Sequence, residues 1–97
     1  MSESGRGRFD LLPWLAIMRV AQRAELGAAL YGEDNWRHGL PPARFFSSAV
    51  RHLAQWRLGQ TDEDHLAAAA WNLLALIEVL DSGTMKSVGD SPSPPSR

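Results

Sequence analysis

TDEDHLAAAAWNLLALIEVLD, residues 61–81, decides the fold. From Leu66 onward nearly every position is apolar, and before Asp81 only Asn72 and Glu78 interrupt the run. Thr61 is an N-cap candidate, and Asp64 three residues later makes a variant of the capping box. The spacing predicts a helix over 61–80, closed by Ser82 and Gly83. A helix that is apolar nearly all round is a central one, covered on several faces.

Two shorter helical patterns precede it. The first runs from about Pro13, which suits the first helical position, to Tyr31. Its expected inner stripe is Leu15, Met18, Ala21 or Gln22, Glu25 or Leu26, and Ala29, with Gly32 as the stop. The second begins at Pro41 and Pro42 and ends near Leu58 and Gly59, with Phe46, Ala49 or Val50, Leu53 and Trp56 as its stripe. No stretch alternates with period two. The class is all-α, a small bundle of three to four helices. Two helices of this size do not cover the third completely, so a homo-oligomer is expected to complete the core.

Composition sets the limits. The chain has 97 residues, 44 % of them hydrophobic, with a formal net charge of −1 and a pI of about 6.3. That is one small domain without the basic field that holds nucleic acid, so no nucleic-acid partner and no DNA-binding helix-turn-helix is expected. Residues 1–8 are small and charged, and residues 82–97 are rich in serine and proline, so both ends are expected to be disordered around a domain at 9–81. With no cysteine, thiolate and disulfide chemistry are excluded, and any metal must take oxygen and imidazole ligands. The apolar run at 66–77 is shorter than the ~20 residues of a membrane span, and the first residues lack a signal-peptide pattern. The expected location is cytoplasmic, with no membrane partner.

Polar chemistry gathers in three places. The loop YGEDNWRHG at 31–39 holds Glu33, Asp34, Asn35, Trp36, Arg37 and His38 between two glycines. Arg51 and His52 lie within the second helix, and TDEDH at 61–65 opens the third, with Asn72 on the same face as His65. Each has a structural explanation. Acidic residues favour a helix N-terminus, His52 can bond a backbone carbonyl, and Trp36 can be an apolar anchor. A buried Asn72 either bonds a defined partner, sets oligomer register or faces a ligand. In an up-down bundle the loop at 31–39 and the TDEDH turn sit at opposite ends of one subunit, and an antiparallel partner, or a bend in the second helix, would bring them together.

YGEDNWRHGLP at 31–41 and AVRHLAQWRLGQTDEDHLAAAAWNLLALIE at 49–78 resemble the phage-associated dATP/dGTP diphosphohydrolase N-terminal family, a relative of the MazG-like all-α nucleoside triphosphate pyrophosphohydrolases. The similarity runs over residues 9–78. It implies cleavage of a purine (deoxy)nucleotide between its α- and β-phosphates, with Mg²⁺ or Mn²⁺ held by carboxylates of neighbouring helices in an oligomer. For a phage-encoded chain the compartment would be the host cytoplasm.

Carried onto the matching residues, Glu63, Asp64 and His65 would be catalytic. Asp62, Glu63, Asp64, Glu33, Asp34 and His52 would be metal ligands. Arg51 and Arg37 would neutralise phosphates, Trp36 would stack on the base, and Asn35 and Asn72 would read its polar edges. The chain departs from the MazG-like pattern in one respect. The helical Glu-Glu-x-x-Glu is missing, since the first helix offers only Glu25, and the Glu-x-x-Asp at Glu78 and Asp81 lies at the far end of the third helix. A non-catalytic helical oligomerisation or adaptor module, which keeps nucleotide binding or lacks it, is the alternative that this departure suggests.

Overall fold

The computed structural model describes residues 5–82. The disorder expected of residues 1–4 and 83–97 lies outside the described residues. Within them a short 3-10 turn, Phe9–Leu11, leads into helix α1, Trp14–Tyr31. A second turn, Asn35–Arg37, precedes α2, Pro42–Arg57, and α3 spans His65–Asp81. The described residues contain no strand, and the fold is all-α.

Local chemistry sets the boundaries. Pro13 is the N-cap residue of α1, which therefore starts one position later than expected, and Gly32 ends that helix at φ 97°, where its N–H bonds Ala28 O. Pro41 and Pro42 occupy the N-cap and first position of α2, where a missing N–H costs nothing. The start of α3 corrects the expectation. Asp64, not Thr61, is the N-cap, and its carboxylate accepts the Ala67 N–H at 3.1 Å. Residues 61–63 therefore form a bend outside the helix, which leaves Asp62 and Glu63 at liberty to reach sideways.

α3 is the central element and packs chiefly on α2, secondarily on α1. Its inner surface is built of small residues: Ala67, Ala68, Ala69 and Ala75 are buried together with Asn72 and Val79. Alanines leave room on this surface for larger side chains of α2, His52 and Phe45 among them. Towards the C-terminal half of α3, Phe45, Ala75 and Val79 form an apolar cluster closed by Trp36, Leu40, Trp71 and Leu76.

Apart from Ala49, the residues expected to be buried on α1 and α2 are turned outward. On α2 the buried residues are Phe45, Ala49 and His52, while Phe46, Val50, Leu53 and Trp56 are exposed. On α1 the more sheltered residues are Ile17, Val20, Arg23, Ala24, Gly27 and Ala28, and Leu15, Met18 and Leu26 face out. Each helix carries two apolar faces one residue apart, and periodicity ranks the bulkier first. The alanine face of α3 instead accepts the smaller face of each neighbour. No helix among the described residues is long and apolar enough to cross a membrane.

Candidate metal centre

The α2–α3 contact buries two histidines, His52 at 3 % and His65 at 2 % exposure. Their Nδ1 atoms face one another at 2.9 Å, and the rings are tilted by 36°. His65 Nε2 is 2.8 Å from Asp62 Oδ1, and His52 Nε2 is 3.4 Å from Arg51 Nη2.

These contacts admit one consistent set of hydrogens. A guanidinium only donates, so Arg51 donates to His52 Nε2. Burial, followed by the positive charge of Arg51, pushes the His52 imidazole below its ordinary range and keeps it neutral at pH 7. Its single hydrogen therefore sits on Nδ1 and is donated to His65 Nδ1. His65 in turn carries its hydrogen on Nε2 and donates to Asp62. That hydrogen bond is the main reason the Asp62 carboxyl lies below the usual carboxylate range. A polarised chain thus runs from Arg51 through two buried rings to an exposed carboxylate.

Glu63 completes the group: one ligand atom from each of His52, Glu63 and His65 lies within 4.8 Å of the others. At present the Glu63 carboxylate is ion-paired with Arg23 of α1. A cation thus already neutralises this carboxylate, and two imidazoles with a carboxylate are a donor set that first-row metal ions accept. The residues fit such an ion.

Asp64, next in the bend, is held bidentately by Arg19 at 2.5 and 2.8 Å, the chief reason its carboxyl is lowered. Beside these pairs opens a cleft of about 480 Å³, lined among others by Arg19, Trp56, Gln60, Glu63, Asp64 and His65.

Of the residues singled out in the sequence, His52, Asp62, Glu63, Asp64, His65 and Arg51 are gathered here. The loop residues are elsewhere. Trp36 stands edge-on to Phe45 and Trp71, at centroid separations of 6.4 and 5.6 Å. The Arg37 guanidinium covers its free face at 4.2 Å and also reaches Asp34 and Glu78. Glu78 lies roughly 20 Å along α3 from His65 at 1.5 Å per residue, so loop and centre occupy opposite ends of the helix. Glu33, Asp34 and Asn35 are exposed in that loop, with Asp34 in the left-handed region at φ 59°. Asn72 is buried and donates to Ala68 O of its own helix at 2.8 Å.

Sequence reading passed over Arg19 and Arg23. Their signal was present as two arginines four apart on one face of an apolar helix, which calls for acidic partners across the bundle. It also placed Trp56 in the core stripe, whereas the indole is half exposed and lines the cleft. A family model described as dATP/dGTP diphosphohydrolase, N-terminal, matches residues 1–88. No curated protein and no solved structure matches the chain.

Proposed function

The chain belongs to the dATP/dGTP diphosphohydrolase N-terminal family, and from this membership we propose that it hydrolyses a purine deoxynucleoside triphosphate between the α- and β-phosphates, dependent on a divalent metal. The observation that carries the proposal is the group of His52, Glu63 and His65 at the edge of an open cleft. A bound divalent ion supplies a fixed positive charge for the phosphate oxygens and an acidified water. The chain's own residues do the rest. His52, His65 and Glu63 would hold the ion, and Asp62, accepting the His65 Nε2–H, would fix the orientation of that ring. Arg19 in the cleft wall and Arg51 beside His52 would neutralise phosphates, and the half-exposed indole of Trp56 in the same wall would stack on the base. A second copy of the chain, covering the outward apolar faces of α1 and α2, belongs to the same reading.

One observation favours a second reading, a nucleotide-binding or adaptor module without catalysis. Glu63 and Asp64 are both already satisfied by arginines of α1, as in a structural clasp. Pyrophosphate release by the purified chain from a panel of deoxynucleoside triphosphates, with Mn²⁺ or Mg²⁺, separates the two. Absence of release from every nucleotide at high protein concentration sinks the catalytic reading; nucleotide binding without release supports the second.

A further inference from the structure

We propose that His52, His65 and Glu63 form a site for a first-row transition-metal ion of the Mn²⁺ to Zn²⁺ series that does not take Mg²⁺, with Asp62 as the residue that positions His65. This deepens the preceding reading and rests on it only for the site's use, not for its occupancy.

Donor type comes first. Mg²⁺ demands oxygen ligands and keeps most of its water, whereas imidazole nitrogen suits the later divalent ions. Two of the three protein donors here are imidazoles, and both rings are buried, so little water remains there to complete a magnesium shell.

Spacing comes second. Two nitrogens bound to one tetrahedral ion at ~2.05 Å each stand roughly 3.3 Å apart. The two Nδ1 atoms are already 2.9 Å apart and face each other. Reaching that spacing takes about 0.4 Å of further separation, together with a turn of both rings that aims their Nδ1 lone pairs at the ion.

Support behind the ligands comes third. Metal-bound histidines commonly donate the other ring N–H to a carboxylate, which fixes tautomer and orientation. His65 has this arrangement before any ion arrives: Nε2–H donates to Asp62 Oδ1 at 2.8 Å, and Nδ1 presents its lone pair inward. His52 needs only to move its hydrogen from Nδ1 to Nε2, with no net proton lost. That shift points an N–H at Arg51 Nη2, now 3.4 Å away, and ends a contact that was long to begin with. The guanidinium is then released towards an anionic ligand. Occupancy of the centre and availability of Arg51 are coupled through one tautomer.

Titration of chelator-treated full-length protein with Mn²⁺, Zn²⁺, Co²⁺ or Mg²⁺, without nucleotide, tests the site by calorimetry and thermal denaturation. Mn²⁺ and Zn²⁺ are expected to bind one per chain and raise Tm, Co²⁺ to give the visible absorption of a nitrogen-ligated site, and millimolar Mg²⁺ to do neither. Asp62→Asn is expected to weaken binding about 10- to 100-fold. Glu63→Gln, also at an exposed position, is expected to weaken it at least as much. Both variants keep the buried histidines, so they remain informative if His52→Ala fails to fold. The site is overturned if Mg²⁺ stabilises as well as Mn²⁺, if no ion binds, or if both variants bind as the parent does. Nucleotide hydrolysis in Mg²⁺ alone, without Mn²⁺ or Zn²⁺ binding, would overturn this site and leave the hydrolase reading standing. Ion binding without any hydrolysis has the reverse meaning.

Discussion

His52 Nδ1 and His65 Nδ1 meet at 2.9 Å inside the α2–α3 contact, and this buried bond is formed while His52 is neutral. Arg51, Glu63, Arg23 and His65 surround the ring, and only Glu63 favours its charged form. The folded-state pKa of His52 lies below the ordinary histidine value near 6.5, so the unfolded chain takes up a proton first as pH falls. Stability from this group is complete above about pH 6.5 and is lost as pH drops towards the depressed folded value. In chelator, Tm should decline between pH 7 and 5, and His52→Gln should flatten that slope while lowering Tm at pH 8. A parent Tm that rises on acidification contradicts the assignment.

Asp64 acts first as a helix cap. Its carboxylate satisfies the Ala67 N–H, and loss of such a cap costs about 1 kcal/mol, or roughly 4–8 °C in a domain of this size. The Arg19 pair adds little, because both side chains are more than a third exposed and the solvent screens them. Asp64→Ala should lower Tm by that amount and leave the affinity for Mn²⁺ within about threefold. Asp64→Asn, which preserves a capping oxygen, should recover most of the loss. Collapse of metal binding with an unchanged Tm would instead return Asp64 to the ligand set.

Two tryptophans should respond in opposite ways. Trp36 packs against Phe45 and Trp71, and its truncation removes core contact worth about 2–4 kcal/mol. Trp36→Ala should therefore reduce Tm by at least about 8 °C while nucleotide affinity in the folded fraction is unchanged. Trp56 is 52 % exposed and lines the cleft. Stacking of a base on an aromatic ring is worth about 1–3 kcal/mol, so Trp56→Ala should raise the nucleotide Kd about 5- to 150-fold with little change in Tm. Equilibrium binding of a purine deoxynucleotide to each variant, beside its melting curve, decides the matter. An unaltered Kd in Trp56→Ala removes that residue from the binding site.

Much of this arrangement can be read from the chain. Punctuation by Pro13, Gly32, Pro41–Pro42 and Gly59, together with apolar periodicity, locates all three helices, and TDEDH and Arg51–His52 stand out as polar clusters. What cannot be read is rotation. Phe45 and Phe46 are adjacent and equally apolar, so the hydrophobic effect alone does not choose between them; packing on the alanine face of α3 does. The same ambiguity hides the centre, since His52 is legible as a core residue only once Phe45 and Ala49 are known to face inward. Trp36 misleads for a different reason. An indole in a polar loop resembles a ligand contact, yet the loop folds back over α3 and Arg37 fastens it to Glu78.

The rotation of α2 carries the last prediction. Phe46, Val50 and Leu53 recur at i, i+4 and i+7 on one outward face, and they are 59, 47 and 44 % exposed. Leu15, Met18 and Leu26, at i, i+3 and i+11, likewise share an outward face of α1. A second copy, which brings the same stripes, is the occupant that matches them in chemistry and extent. Sedimentation or light scattering at micromolar concentration should give a mass well above the 10.7 kDa of one chain. Val50→Glu with Leu53→Glu places charges on that face without entering the folded core. It should yield a monomer with its helical content preserved. A parent chain that remains monomeric at about 100 μM would show that these faces have no self-association to disrupt.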